Sequence, residues 1–382
     1  MNIFVIGAAT TKFGELWGTS PRTLAREAFE NAIKDSGIKK LRIEALFVGN
    51  MLSGILGGQE HLGALFAEEL GLPNVPAFHI EGACASGGLA VHAAVNAVMS
   101  GQYKTVGVVG IEKMTDYKPE IVSEALMGAG SDEERASGTT FPGLYAILAR
   151  AYMQKYKVTE KELASVSVKN HFHASLNPSA QFKNILTIDA VMKSPKVSDP
   201  LKLLECSPIS DGAASIVITD TVSKNAVEII ASEVATDSLG LAQREILTEL
   251  KATQIASEKA YTKSGLGPPD IDVAEVHDCF SIAEVMALED LGFCEKGTAA
   301  QAISGKMFTL GSAKHLVVNT SGGLKGAGHP VGATGVKQIV EIVDQLKGRA
   351  GARQASGAKT GLTQNVGGSG ATAVVHILKK HD

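Results

Sequence analysis

Cys84 lies in a segment where a thiol could act as a nucleophile. Its neighbours in HIEGACASGGLA (79–90) are small, which allows a substrate to approach the sulfur closely. Residues 85–99 are apolar nearly all round and predict a buried helix, and a helix N-terminus stabilises a thiolate through its dipole and free N–H groups. A small buried cysteine is the commoner fate of a single cysteine, so this segment alone leaves both interpretations open.

Two further segments carry groups that acyl transfer uses. EVHDCF (275–280) places His277, Asp278 and Cys279 directly after a predicted strand, although a polar strand end would look the same. NTSGGLKGAGHPVGATG (319–335) presents His329 among closely spaced glycines. It lacks the GxxxxGK[ST] and GxGxxG spacings of phosphate-binding loops, and its glycine density favours a ligand-facing loop over a structural histidine.

The last such segment, NVGGSG (365–370), is a predicted Gly-rich turn. Its backbone N–H groups could form an anion or oxyanion site, and a plain tight turn is an equal alternative. Together the four segments supply two thiols, two imidazoles and N–H donors, which suit nucleophilic and acid–base chemistry. The combination is far more specific than any segment alone.

The composition indicates an α/β enzyme and excludes several other classes. The 382 residues are 45% hydrophobic, 20% charged and 5% aromatic, with 41 glycines. A net charge of −4 favours neither nucleic acid nor a membrane as partner. The four cysteines lie far apart without a CxxC pair, which argues against a disulfide scaffold or a zinc knuckle. We expect a cytoplasmic protein, because the N-terminus lacks a signal peptide and the C-terminus lacks a peroxisomal tripeptide.

Strands and helices alternate twice along the chain. Apolar runs predict strands at residues 2–7, 45–49, 105–109, 211–220, 227–231, 273–276, 316–318 and 372–378. Helical spacing appears at residues 20–36, 85–99, 248–264 and 336–346. Residues 112–199 are more polar and predict an insertion of loops and helices. The pattern predicts two similar α/β units that pack together.

The chemical motifs occur in the order in which thiolases carry them, and the chain resembles a thiolase over essentially its whole length. These motifs are CASG (84–87), HDCF (277–280), GHP (328–330) and the final Gly-rich turn. CSPISDGAAS (206–215) resembles the sterol-carrier-protein-2-thiolase branch and the archaeal acetyl-CoA acetyltransferases grouped with it.

The resemblance implies a thiolase fold, with two similar halves in five layers, α-β-α-β-α, and a loop-domain insertion. It implies a first half at residues 1–111 and 200–225. The insertion would then cover residues 112–199, and the second half residues 226–382.

The resemblance also implies roles for individual residues. Cys84 would attack an acyl-CoA thioester and become acylated, while His329 would activate its thiol and help hold the thioester oxygen. Many thiolases have NEAF where this chain has HDCF, so His277 would replace the asparagine that positions a water in one oxyanion hole. The backbone N–H groups of Cys84 and Gly367 would form the other oxyanion hole.

One departure from the family pattern concerns the acid/base thiol. Many thiolases carry a second cysteine in a C-x-G motif near the C-terminus, and Asn365 occupies that position here. Within this branch the cysteine of HDCF is thought to replace it, so Cys279 becomes the candidate base. Further candidate substrate contacts are Phe280, Gly322, Gly323 and Asn365.

The implied reaction is the reversible condensation of two acetyl-CoA molecules to acetoacetyl-CoA, feeding the mevalonate pathway. A 3-ketoacyl-CoA thiolase for longer chains, a decarboxylating ketoacyl synthase and a non-catalytic scaffold are the alternatives. We expect neither a metal nor a cofactor, since CoA thioesters are substrates. Expected partners are a second copy of the chain, as a homodimer or homotetramer, and hydroxymethylglutaryl-CoA synthase through a zinc/OB-fold linker protein.

Overall fold

A computed structural model describes residues 2–222, 226–312 and 316–381. The strands are β1 (Phe4–Thr10), β2 (Ala45–Gly49), β3 (Ala77–Ile80), β4 (Thr105–Glu112), β5 (Lys196–Ser198), β6 (Leu201–Lys202), β7 (Gly212–Thr219), β8 (Val227–Thr236), β9 (Val273–Glu275), β10 (Val317–Val318), β11 (Thr360–Gly367) and β12 (Thr372–Lys380). The helices are α1 (Pro21–Ser36), α2 (Ser53–Gly57), α3 (Leu62–Glu69), α4 (Ser86–Met99), α5 (Pro119–Leu126), α6 (Asp132–Ala136), α7 (Phe141–Tyr156), α8 (Glu160–Ser175), α9 (Ile188–Lys193), α10 (Lys251–Ser264), α11 (Ser281–Asp290), α12 (Ala299–Ser304), α13 (Gly323–Ala327) and α14 (Val331–Leu346).

The main sheet repeats one topology on either side of its centre. Its ten strands run in the order β10-β9-β11-β12-β8-β1-β7-β4-β2-β3. Outward from β1, the successive pairings to β7, β4, β2 and β3 are antiparallel, antiparallel, parallel and parallel. Outward from β8, the pairings to β12, β11, β9 and β10 follow the same sequence. The prediction of two similar α/β halves is therefore confirmed.

Helices α4 and α14 form the middle layer of the fold. Each contacts the other and strands of both halves, whereas α1 packs on β1 and β7, and α10 packs on β8 and β12. Their backbones approach very closely: a Cβ on Gly87 would lie 2.7 Å from the Gly332 oxygen, and one on Gly335 would lie 2.1 Å from the Gly88 nitrogen. Because Cys84 precedes α4 and His329 precedes α14, this glycine contact brings the two motifs together.

The segment between β4 and β7 contains helices α5 to α9 and the small β5–β6 hairpin. Side chains of α7 and α8, including Tyr145, Leu148 and Val166, share one apolar core with Ile282 and Val285 of α11. The proposed domain limits remain a prediction. One of them falls at residues 223–225, which lie outside the described residues, as does Asp382.

The structure corrects the interpretation of residues 365–370. Residues Asn365 to Gly367 are the last residues of β11, and only the following residues turn toward β12. The sequence TGLTQNVG hides this strand because every position is buried and polar side chains interrupt the apolar pattern. These polar groups are satisfied inside the protein; Gln364 Nε2, for example, donates to Thr253 Oγ1 at 3.0 Å.

Among the described residues, none of the helices combines the length and the apolar character that spanning a bilayer would need.

Candidate active site

Cys84 lies in a single turn of 3-10 helix, residues Ala83–Ala85, directly before α4. The Ser86 hydroxyl closes this turn by donating to the Ala83 oxygen at 2.6 Å and accepting from the Gly82 nitrogen at 3.0 Å. The end of β11 packs against the turn so tightly that a Cβ on Gly367 would lie 2.4 Å from the Gly82 oxygen. Only glycine fits there, which explains part of the Gly-rich motif.

The structure brings Cys84, His277 and His329 together, as the motifs predict. One donor atom of each, the sulfur and two ring nitrogens, lies within 4.8 Å of the others. The two imidazoles are both buried and meet edge to face, with ring centroids 5.1 Å apart and an interplanar angle of 82°. Cys279 is buried as well, close enough for its charge to influence Cys84.

The hydrogen bonds around His329 favour one position for its ring proton. Its Nδ1 lies 2.8 Å from Thr334 Oγ1, and that hydroxyl donates its only hydrogen to the Pro330 oxygen at 3.1 Å. Thr334 therefore accepts from Nδ1–H, and Nε2 keeps a free lone pair. Burial, together with the charge of Lys337, lowers the pKa of His329 to about 3. The imidazole is thus neutral near pH 7 and available as a base.

Burial keeps both site thiols protonated in the free protein. It is the largest influence on Cys84 and raises its pKa well above the usual range. The negative charge of Cys279 raises the pKa further, whereas the amide of Gly368 lowers it. Burial also raises the pKa of Cys279 to about 12, although the Tyr145 hydroxyl beside it acts in the opposite direction. The expected stabilisation of a Cys84 thiolate by the helix N-terminus is therefore outweighed by desolvation.

This charge state predicts the pH dependence of alkylation. Because burial disfavours the Cys84 thiolate, we expect its reaction with iodoacetamide to accelerate with pH through about pH 9 without a plateau near neutrality. Peptide mass spectrometry after timed quenching would follow the modification of Cys84 alone. A rate that levels off below about pH 7 would instead indicate a resting thiolate–imidazolium pair and would contradict the neutral pair described above.

The Gly-rich turn after β11 presents an amide to Cys84. The pKa effect on Cys84 comes from the N–H of Gly368, which follows Gly367. Gly368 has a φ of +62°, and its oxygen accepts from the Tyr145 hydroxyl at 3.1 Å. The next residue, Ser369, is held by Arg244, whose Nη1 donates to the Ser369 backbone carbonyl oxygen at 2.7 Å. The role of the Gly367 amide as an oxyanion donor stays a prediction. The contact of the Gly368 amide with Cys84 was not predicted from the sequence motifs.

Three residues that were predicted to contact the substrate pack against other parts of the protein. Phe280 stacks on Tyr145 with centroids 4.6 Å apart. A Cβ on Gly322 would lie 2.5 Å from the Cβ of Ala174, and one on Gly323 would lie 2.4 Å from Oδ2 of Asp278. These glycines allow α8 and the Asp278 carboxylate to approach closely. Their role toward substrate stays a prediction.

Asp278 is surrounded by hydrogen-bond donors from the protein. Its position beside His277 and Cys279 made it a candidate for chemistry in the sequence. Its carboxylate accepts from the Leu324 and Lys325 nitrogens at 2.6 and 3.3 Å, and from Asn170 Nδ2 at 2.6 Å. Lys325 in turn donates from Nζ to the backbone carbonyl oxygen of Glu205 at 2.5 Å. Asp278 thus ties the HDCF segment to the loop that carries His329.

One sulfur and two imidazole nitrogens are also donor types that zinc accepts. The expectation of a metal-free site stays a prediction.

Comparisons with known proteins agree with this geometry. Residues 3–221 match the thiolase N-terminal domain family, and residues 234–380 match the thiolase C-terminal domain-like family. An acetyl-CoA acetyltransferase of Methanothermobacter thermautotrophicus is 45% identical over 99% of this chain and 100% of its own. Sterol carrier protein 2 of Rattus norvegicus is 34% identical over 97% of this chain and 71% of its own.

A solved structure supports the same fold. Human mitochondrial 3-ketoacyl-CoA thiolase, in complex with CoA, superposes with a TM-score of 0.75 over 100% of this chain and 98% of that chain, at 17% identity. The five-layered fold and the resemblance to the sterol-carrier-protein-2-thiolase branch are therefore confirmed. The chain belongs to the thiolase family, and it is an acyltransferase of that family.

Proposed function

We propose that the chain is an acetoacetyl-CoA thiolase, which condenses two acetyl-CoA molecules to acetoacetyl-CoA and CoA through an acetyl-Cys84 intermediate. The observation that carries the proposal is the proximity of the Cys84 sulfur to the two imidazoles, with the second thiol of Cys279 nearby. The name of the archaeal relative, acetyl-CoA acetyltransferase, supports the choice of substrate.

The first half-reaction transfers an acetyl group to the protein. His329 Nε2 takes the proton of the Cys84 thiol as the sulfur attacks the thioester carbonyl. The backbone N–H groups of Cys84 and Gly367 donate hydrogen bonds to the resulting oxyanion, and the N–H of Gly368 donates to the Cys84 sulfur. When the tetrahedral intermediate collapses, the CoA thiolate leaves and takes the proton of Cys279. Acetyl-Cys84, an imidazolium at His329 and a thiolate at Cys279 result.

The second half-reaction forms the carbon–carbon bond. The Cys279 thiolate removes an α-proton from a second acetyl-CoA, whose enolate oxygen accepts hydrogen bonds from Nε2–H of His277 and of His329. The α-carbon then attacks the acetyl carbonyl, and the Cys84 sulfur leaves and recovers its proton from His329. Both thiols and the neutral imidazole are restored, and acetoacetyl-CoA is released.

A comparison of donors and chain lengths tests the proposal. We expect condensation of acetyl-CoA without malonyl-CoA, and thiolysis that is fastest with acetoacetyl-CoA and declines with longer 3-ketoacyl-CoA substrates. Strict dependence on malonyl-CoA would establish the decarboxylating synthase, for which a thiol base has no use. A maximum at long chains would favour the degradative thiolase, and the absence of any acyl transfer would favour the scaffold.

The proposal extends to cellular context: a cytoplasmic homodimer or homotetramer that feeds the mevalonate pathway and associates with hydroxymethylglutaryl-CoA synthase through a zinc/OB-fold linker protein. All four cysteines are unbridged, which suits a reducing compartment. The partner proposal comes from the archaeal resemblance. Size-exclusion chromatography with light scattering on the co-expressed proteins tests it, and separate peaks for the three proteins would rule the complex out.

A further inference from the structure

Asn365 connects the nucleophile, the α4 helix and one catalytic imidazole. It lies near the end of β11 and is 1% exposed. Its Oδ1 accepts from the Gly88 nitrogen at 3.1 Å, and its Nδ2 donates to the Cys84 oxygen at 3.0 Å. The same Nδ2 lies 3.2 Å from Nδ1 of His277. Both N–H bonds of the amide are therefore engaged within the protein.

These partners leave one orientation for the amide. The Gly88 nitrogen can only donate and the Cys84 oxygen can only accept, so Oδ1 must face Gly88 and Nδ2 must face Cys84. The second N–H of Nδ2 then points at Nδ1 of His277, which must accept. A neutral histidine that accepts at Nδ1 carries its hydrogen on Nε2.

The Nε2–H of His277 is left unbonded by the part of the chain that the structure describes. It is buried, and within the described residues it has no hydrogen-bond partner. A buried donor without a partner costs free energy, and such groups are rare unless a ligand completes them. Burial lowers the pKa of His277, and the neighbouring His329 lowers it further. The ring is therefore neutral, with one hydrogen available to a substrate in the site.

We propose that Asn365 is a positioning residue that holds His277 in its Nε2–H tautomer, whereas Thr334 holds His329 in the opposite tautomer. One imidazole then receives the proton of the nucleophile, and the other offers a hydrogen bond to the thioester or enolate oxygen. A cysteine at position 365 could not donate to the Cys84 oxygen and to His277 together. This inference rests on the proposed function and gives a reason for the departure from the C-x-G motif.

A double-mutant cycle separates tautomer control from a purely structural role. In Asn365→Leu we expect the rate of α-proton exchange between acetyl-CoA and solvent to fall about 100-fold, the size of a lost oxyanion donor. In a His277→Ala background, which has no imidazole, the same substitution should cost about 3-fold or less, because only the contacts to Gly88 and Cys84 remain to be lost. Equal losses in both backgrounds would overturn the proposal, since the contacts to Gly88 and Cys84 are the same in both.

Neutron diffraction of wild-type crystals tests the tautomer without reference to catalysis. The proposal predicts deuterium on Nε2 of His277 and none on Nδ1, and deuterium on Nδ1 would refute it even if His277→Ala proved inactive. A failure of the proposed function would look different: the wild-type protein would show neither acetyl-Cys84 nor α-proton exchange.

Discussion

Replacement of Cys84 by alanine is expected to reduce thiolysis of acetoacetyl-CoA and condensation of acetyl-CoA by at least about 10⁴-fold, the typical cost of removing a catalytic nucleophile. Without the Cys84 sulfur the proposed acetyl-Cys84 intermediate cannot form, and His329 has no Cys84 thiol to deprotonate. The substitution removes one atom from a turn that Ser86 closes independently. We therefore expect a folded protein with a thermal midpoint close to that of the wild type.

A matched control is Cys294→Ala, which removes a partly buried thiol that follows α11, packs on the same apolar core as Cys279 and is not one of the grouped residues Cys84, His277 and His329. This variant should retain activity within about 2-fold, because it removes one atom from a residue that has no part in the proposed mechanism, at a modest cost in stability. Spectrophotometric thiolysis of acetoacetyl-CoA measures both variants. A Cys84→Ala protein that kept a tenth of the wild-type rate would show that another group accepts the acetyl chain.

Replacement of Cys279 by alanine is expected to separate the two half-reactions. Condensation and thiolysis should fall about 10³-fold, within the range for loss of a general acid/base. Acetylation of Cys84 should fall by only about 10-fold, because the imidazolium of His329 can still protonate the departing CoA. The burst of CoA release on mixing with acetyl-CoA reports acetylation, and steady-state acetoacetyl-CoA formation reports condensation.

The same variant decides which group removes the α-proton. Asn365 occupies the position of the usual acid/base cysteine, and its amide is neither acidic nor basic near neutral pH. If Cys279→Ala condensed acetyl-CoA at close to the wild-type rate, the base would be a different group. Loss of burst and condensation together, by the same factor, would show that the main effect of Cys279 lies in the acetylation step and not in removal of the α-proton.

Much of the fold could be predicted because the apolar patterns of single strands and helices are visible in the local sequence. The apolar character of residues 85–99 corresponds to α4, which is buried except along the face that carries Leu89, His92 and Asn96, and the twice-repeated alternation corresponds to the two halves of the sheet. The strand at residues 45–49 was predicted with the bounds of β2. Strand β11 was missed, because a strand buried on both faces with satisfied polar side chains has no alternation to detect.

The proximity of Cys84, His277 and His329 could be predicted from sequence because the family pattern places these motif residues in order. Their protonation states could not be predicted, since these depend on contacts between distant parts of the chain. Asn365 reaches the Cys84 oxygen across 281 positions. Burial, which no local pattern encodes, reverses the expected effect of the helix N-terminus on the thiol.

The acetyl-Cys84 intermediate is tested by the mass of the protein after brief mixing with acetyl-CoA and acid quenching. We expect one added acetyl group per chain, located by peptide mapping on Cys84, retained in Cys279→Ala, absent from Cys84→Ala and removed when CoA is added. Acetylation that maps to Cys279, or continued condensation by a protein that never carries an acetyl group on Cys84, would contradict it.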